Sequence, residues 1–321
     1  MKKAQNLFPT LPKDAAKPDR PITPERVRLG KMLFFDPRTS GDGAVSCSRC
    51  HLPQLCATDA LSKSIGAYDR HLIRNAPTIF NAAIHTSQHW DGRFVDVEDQ
   101  AVHGLTGPGL GNPDDRTVEG RLAAIPGYPE AFHEAFPDDK DPVTARNFAL
   151  AVGAFERTLI APSRFDDYLA GKADALSAQE TKGLKLFIET GCVDCHKGPG
   201  VGGAGFRKFG VFSDYRAATG TMNPDKGRFD LTKNPDDVDK FKIPGLRGVA
   251  VTPPYFHDGS VESLPKAIRI MAKIQLDTDL ADTEVEAIAA FLGSLTGPMP
   301  ADYDHPPVLP PGGYRNAGPS H

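Results

Sequence analysis

The stretch VSCSRCHLP, Val45 to Pro53, returns in the second half of the chain as TGCVDCHKG, Thr190 to Gly198. Each copy sets two cysteines three positions apart, with histidine directly after the second. Two thiols at that spacing can form thioethers to the two vinyl groups of a haem, and the adjacent imidazole then lies under the iron as proximal ligand. A thioredoxin-like redox pair needs no following histidine, and a zinc site needs a second pair or distant histidines. Either alternative accounts for one copy. Two copies that both end in histidine point to covalent haem: Cys47, Cys50 and His51 for haem one, and Cys192, Cys195 and His196 for haem two.

The rest of the composition fits a globular carrier of two such groups. The chain has 321 residues, of which 40% are hydrophobic and 24% charged, enough for two cores of ordinary kind. No apolar run approaches the roughly 20 residues of a membrane span. The formal charge of -4 is spread without a basic stripe, so nucleic acid is not an expected partner. The opening MKKAQNLFPTLPKDAAKPDR carries basic residues but no apolar core of a secretion signal. Haem is joined to this motif outside the cytoplasm, so the expectation is a periplasmic chain read after its signal has been removed. Haem takes four of the five cysteines, which leaves Cys56 without a disulfide partner and expected as a small buried hydrophobe.

An imperfect repeat accompanies the two motifs. GKMLF (Gly30 to Phe34) precedes the first and GLKLF (Gly183 to Phe187) the second, each reading as the end of an amphipathic helix that feeds a haem loop. Ser177, with Glu180 three residues on, forms a capping box at the start of the second such helix. A further helix is expected over Glu284 to Leu295, capped by Asp282 or Thr283. With 31 glycines and 29 prolines, helices should be short and loops long, with the haems filling out the cores. The division falls within Ala161 to Ser177, giving domains 1–165 and 166–321. The Pro/Gly-rich tail PPVLPPGGYRNAGPSH should run over the surface as extended chain.

The second axial ligand separates electron transfer from catalysis. A methionine thioether raises the potential and closes the iron, whereas an open face admits an oxidant. Met1, Met32, Met222, Met271 and Met299 are the candidates, and spacing alone does not choose among them.

The segments LFFDPRTSGDGAVSCSRCH, RNAPTIFNA, HWDGR, GLKLFIETGCVDCHKG and FKIPGLRGVAVTPPYFHDGSVESLPKAIRIMAKIQL resemble the bacterial dihaem cytochrome c peroxidases and their relative MauG, from about Leu33 to Leu295. The resemblance implies an all-α fold of two cytochrome c-like domains that face each other across a calcium ion. It implies a peroxidatic N-terminal haem and an electron-transferring C-terminal haem. The methionine seventeen residues past the proline of TPP, Met271, then ligates haem two, where MauG has a tyrosine. Trp90 is the aromatic between the haems. Asn75 through its side chain, and Thr252 and Pro254 through their carbonyls, are the calcium ligands, and all three offer the hard oxygens that calcium takes.

Cleaving peroxide also needs a proton carrier over the open iron. The resemblance puts a glutamine there, matched by Gln100, and a glutamate on the following loop. That loop departs from the family pattern, so the acid/base role passes to Asp114 or Asp115, with His103 competing and Pro108 as the loop proline. Where many relatives close the first iron with a histidine eight residues before the calcium-site asparagine, this chain has Ala67, and His71 lies four residues on. The implied activity is reduction of hydrogen peroxide by electrons from a small protein, a cytochrome c or cupredoxin, in a homodimer. A MauG-like oxidase and a dihaem electron carrier are the alternatives.

Overall fold

The computed structural model describes residues 1–222, 224–301 and 303–313. The fold is all-α, and among the described residues two small antiparallel strand pairs accompany the helices: the hairpin of β1 (Ile65–Gly66) with β2 (Arg70–His71), and β3 (Phe206–Lys208) with the more distant β4 (Lys240–Lys242). The helices are α1 (Lys2–Leu7), α2 (Pro24–Phe35), α3 (Cys47–Cys50), α4 (Val97–Thr106), α5 (Asp115–Ala123), α6 (Tyr128–Ala135) and α7 (Ala145–Glu156) in the first half. The second half contributes α8 (Arg164–Leu169), α9 (Ala178–Glu189), α10 (Tyr215–Thr219), α11 (Phe229–Thr232), α12 (Leu264–Leu276) and α13 (Asp282–Ser294). Among the described residues no helix is long and apolar enough to cross a membrane.

Local chemistry sets the helix starts. Thr23 accepts the Arg26 N–H at 3.3 Å with Pro24 in the first helical position of α2. In α9, Ser177 Oγ accepts the Glu180 N–H at 3.2 Å and the Glu180 carboxylate accepts the Ser177 N–H at 2.7 Å, the box its spacing predicts. The start of α13 differs from expectation. Ala281 takes the cap position and the Glu284 carboxylate accepts its N–H at 2.9 Å, so Asp282 and Thr283 are already inside the helix.

Packing explains the repeated pentapeptide. Helix α2 lies along α7, and α9 lies along α13. A β-carbon on Gly30 would stand 1.9 Å from the Ala151 carbonyl oxygen, and one on Gly183 would stand 1.8 Å from that of Ala287. Glycine in the repeat is therefore where two helix backbones touch. The repeat's phenylalanines do a matching job, because the Phe34 ring lies 6.4 Å from the His51 ring and the Phe187 ring 6.4 Å from that of His196.

The cores do not follow a single cut of the chain. Side chains of α2, α4, α5, α6 and α7 form the first cluster, which also takes in Tyr303 from near the C-terminus. The second gathers around α8, α9 and α13 and takes in Ala4 and Phe8 from the opposite end. A third, smaller cluster joins α12 to Phe209, Tyr215 and Phe241. The tail is extended as far as Gly313. Val308 is exposed, while the Gly312 carbonyl accepts from Arg38 Nη1 at 2.8 Å. Residues 314–321 of the expected surface tail lie outside the described residues.

Gly183→Ala tests the backbone contact. Alanine is the better helix former by about 1 kcal/mol, yet forcing a methyl into a closed interface costs about 1–3 kcal/mol. The expected result is net destabilisation, read as a lower midpoint in denaturant; a variant more stable than its parent refutes the close approach.

Candidate haem and metal centre

Each motif folds into one tight turn. Its histidine N–H donates back to the first cysteine's carbonyl, His51 to Cys47 at 3.2 Å and His196 to Cys192 at 2.9 Å. The sulfurs, three residues apart in that turn, share one face. Burial pushes the Cys47 thiol up to about 12, Cys50 to about 11 and Cys192 to about 11. Surroundings that hold thiols protonated are the opposite of what a reactive thiolate pair needs. Among the described residues no group of three or more His, Cys, Asp or Glu is placed to hold a metal ion.

The two histidines are held differently. His51 Nδ1 lies 3.0 Å from the Ala57 carbonyl oxygen, which fixes the tautomer and leaves Nε2 free as a ligand. Burial lowers its pKa, partly offset by that carbonyl. Burial lowers His196 as well, to about 4. The carbonyls of Val201 and Pro244 oppose that shift, but neither makes a hydrogen bond of standard geometry to the enclosed Nδ1.

A mostly apolar cavity of about 250 Å³ opens beside the second motif. Cys192, Cys195 and His196 line it, and so do Leu264, Ile268, Met271 and Gln275, the stripe that one face of α12 presents at helical spacing. Met271 thus shares one chamber with the motif histidine, and of the five methionines it alone lines that chamber. Lys242, a residue the sequence reading passed over, adds a second sign. It is 7% exposed, its ammonium donates to the Ser87 carbonyl at 3.1 Å, and burial depresses its pKa to about 8. A buried cation facing such a chamber suits a ligand with carboxylates, and haem c has two. The donor set fits that group.

The same cavity reaches the seam between the halves, where Trp90, Asn75, Thr252 and Pro254 also line it. Asn75 Nδ2 donates to the Leu61 carbonyl at 2.9 Å, which leaves its side-chain oxygen as the free donor atom for a cation. Trp90 Nε1 donates to the Asn75 backbone carbonyl at 2.9 Å, and the Trp90 carbonyl accepts the Lys242 N–H at 2.7 Å. Indole, asparagine and lysine therefore form one chain of contacts across the seam. Ion pairs pin it: Arg74 reaches Asp91 and Asp225, each at 2.7 Å. Burial alone would raise Asp91, but Arg93 and Arg74 outweigh it and hold the carboxyl near about 2.

Around the first motif the acids and the histidine expected over the iron lie exposed. Asp114 is fully exposed and its carboxylate caps α5, accepting from the Thr117 N–H and hydroxyl at 2.8 Å each. Those hydrogen bonds lower its pKa and favour the ionised carboxylate. Asp115, the first residue of α5, is exposed too. His103 is exposed and tied to Asp99 at 3.0 Å. The cause is local: Asn-Pro-Asp-Asp at 112–115 is a helix start, and its acids serve the helix. Gln100 is half-buried on α4. Ala67 is buried, its N–H donating to the Gly109 carbonyl at 2.8 Å, so its hairpin packs on the loop that carries Pro108. His71 sits exposed on β2. Cys56 is half-buried in a left-handed turn at φ 51°, not enclosed as expected.

Comparison with known proteins agrees with this geometry. A family profile described as "Di-haem cytochrome c peroxidase" matches residues 24–174. The chain is 41% identical over 299 residues to a cytochrome c551 peroxidase of Nitrosomonas europaea, covering 92% of this chain and 87% of that one. It is 41% identical over 310 residues to one of Pseudomonas aeruginosa, covering 96% and 88%. The crystal structure of a MauG-like protein associated with microbial copper homeostasis superposes with a TM-score of 0.78 at 30% identity, covering 91% of this chain and 95% of that one. With two haem turns of matching build and relatives of this similarity along nearly its whole length, the chain belongs to the di-haem cytochrome c peroxidase family.

Proposed function

We propose that this chain reduces hydrogen peroxide to water in the periplasm, consuming two electrons from a small cytochrome c or cupredoxin and two protons per peroxide. The observation that carries this reading is the single chamber in which Met271 lies with Cys192, Cys195 and His196 and from which Trp90 leads toward the first half. Haem c, when bound, supplies the redox iron, with the peroxide-reactive group at His51 and the electron-entry group at His196 and Met271. The protein's share is positional. Ala57 orients the His51 ring, Gln100 offers an amide to a bound oxygen, and Trp90 spans the seam. Calcium at the Asn75 side-chain oxygen and the Thr252 and Pro254 carbonyls ties the two sides of that seam together. A homodimer accompanies this reading, and gel filtration at the mass of one chain speaks against it.

Three measurements test the assignment. Met271→His replaces a soft thioether by imidazole and should lower the potential of one haem while leaving haem content unchanged; an unshifted potential makes Met271 plain core filler. Ala67 is a methyl and His71 faces solvent, so the first iron should be open at rest. Electron paramagnetic resonance of the oxidised protein should show one high-spin and one low-spin haem, with peroxide turnover free of a reductive lag; two low-spin signals contradict this. Finally, Trp90→Phe deletes the donor to the Asn75 carbonyl, and calcium affinity should fall on the order of 10-fold or more. With calcium restored to saturation, oxidation of the second haem should stay slow in stopped flow. Recovery to the parental rate confines Trp90 to supporting the cation.

A further inference from the structure

After α13 the chain turns back and delivers Tyr303 to the first half. Tyr303 is 0% exposed, and its hydroxyl donates to the His51 backbone carbonyl at 2.5 Å across 252 residues of sequence. His51 closes the one-turn helix α3 with non-helical dihedrals (φ -125°, ψ 64°), so its carbonyl points out of the helical ladder and needs a partner from elsewhere. The tyrosine ring is itself gripped. It stacks on Phe155 at 6.1 Å with 19° between planes, and Phe80 meets it edge-on at 5.1 Å. Phe34, which flanks the His51 imidazole, packs against the same ring at 6.1 Å. A phenylalanine would satisfy that aromatic cage equally well. The hydroxyl is the part that packing does not require.

We propose that Tyr303 is a positioning residue for the proximal ligand of the first haem. The imidazole is held at two points: Ala57 fixes Nδ1 from the neighbouring loop, and Tyr303 fixes the backbone that carries the ring. Two anchors from unconnected parts of the fold leave the ring little freedom to tilt, and ring orientation governs the strength of the bond its other nitrogen makes to a metal. The strap from Leu295 to Gly313 is thereby part of the first haem site, although it follows the second haem's helix α13 in the chain. Gly297 lies tight against the Ala161 and Pro162 carbonyls, and Arg38 clamps the Gly312 carbonyl, so the strap is anchored on both sides of Tyr303.

The inference rests on reading His51 as the iron ligand, and resonance Raman spectroscopy of the reduced holoprotein separates the two claims. Six-coordinate haem two gives no iron–histidine stretching band, so that band reports on the first haem alone. In Tyr303→Phe the band should move to lower frequency and the first haem's midpoint potential should shift, with the second potential and the haem content unchanged. A band and potential identical to the parent's overturn the role of Tyr303 and leave the ligand reading intact. A parent without the band overturns both. Should Tyr303→Phe fail to fold, Tyr303→Ala offers a cavity for rescue: phenol should restore the parental band and toluene should not, and equal restoration by the two refutes the role of the hydroxyl.

Discussion

Between α2 and α7, and between α9 and α13, backbone lies against backbone, and each approach depends on a residue with no side chain. Gly30 and Gly183 let the helix that enters each haem turn lie so near its partner that the following phenylalanine reaches the motif histidine at the same distance in both halves. Helix-to-helix spacing thus becomes ligand placement a few residues later. The pentapeptide recurs because this geometry recurs, and glycine's poor helix propensity is offset by a contact no larger residue can make.

The seam between the halves obeys a different constraint. Arg74 is shared by Asp91 and Asp225, Arg228 Nη1 donates to the Asp91 carbonyl, and Asn75 N–H donates to the His257 carbonyl. Buried ion pairs of this kind add little net stability, since desolvation consumes most of the attraction. Their value lies in admitting one relative placement of the halves: losing a single partner leaves an uncompensated charge at a cost of about 3–5 kcal/mol. Trp90 is fixed within that lattice through its indole nitrogen and its own carbonyl. An aromatic bridge positioned by hydrogen bonds at both ends keeps a constant distance to whatever occupies the chambers beside it.

Much of this was legible in the residues, and the exceptions share a cause. The two Cys-x-x-Cys-His turns, the Ser177 capping box and the glycine-phenylalanine repeat depend on spacings of a few residues, so local sequence specifies them. Spacing does not separate the five methionines; the family resemblance singles out Met271, and the path of α12 sets it in the chamber that His196 lines. An acid after Asn-Pro reads equally as a catalytic carboxylate or a helix cap, and the Thr117 contact that puts Asp114 at the cap appears only in the fold. Lys242 and Tyr303 carry no local signal at all. One is a lysine between apolar residues and the other an aromatic in a proline-rich stretch, and both acquire meaning from partners more than a hundred residues away.

The exchange of chain ends between cores bears on the order of assembly. Ala4 and Phe8 wait for α9 and α13 before they have a core to enter, and the first core waits for Tyr303. A polypeptide that emerges amino end first therefore cannot seal either half early: the first haem turn stays unfastened until some 252 further residues have followed. The topology thus ties the completion of each core to residues from the far end of the chain.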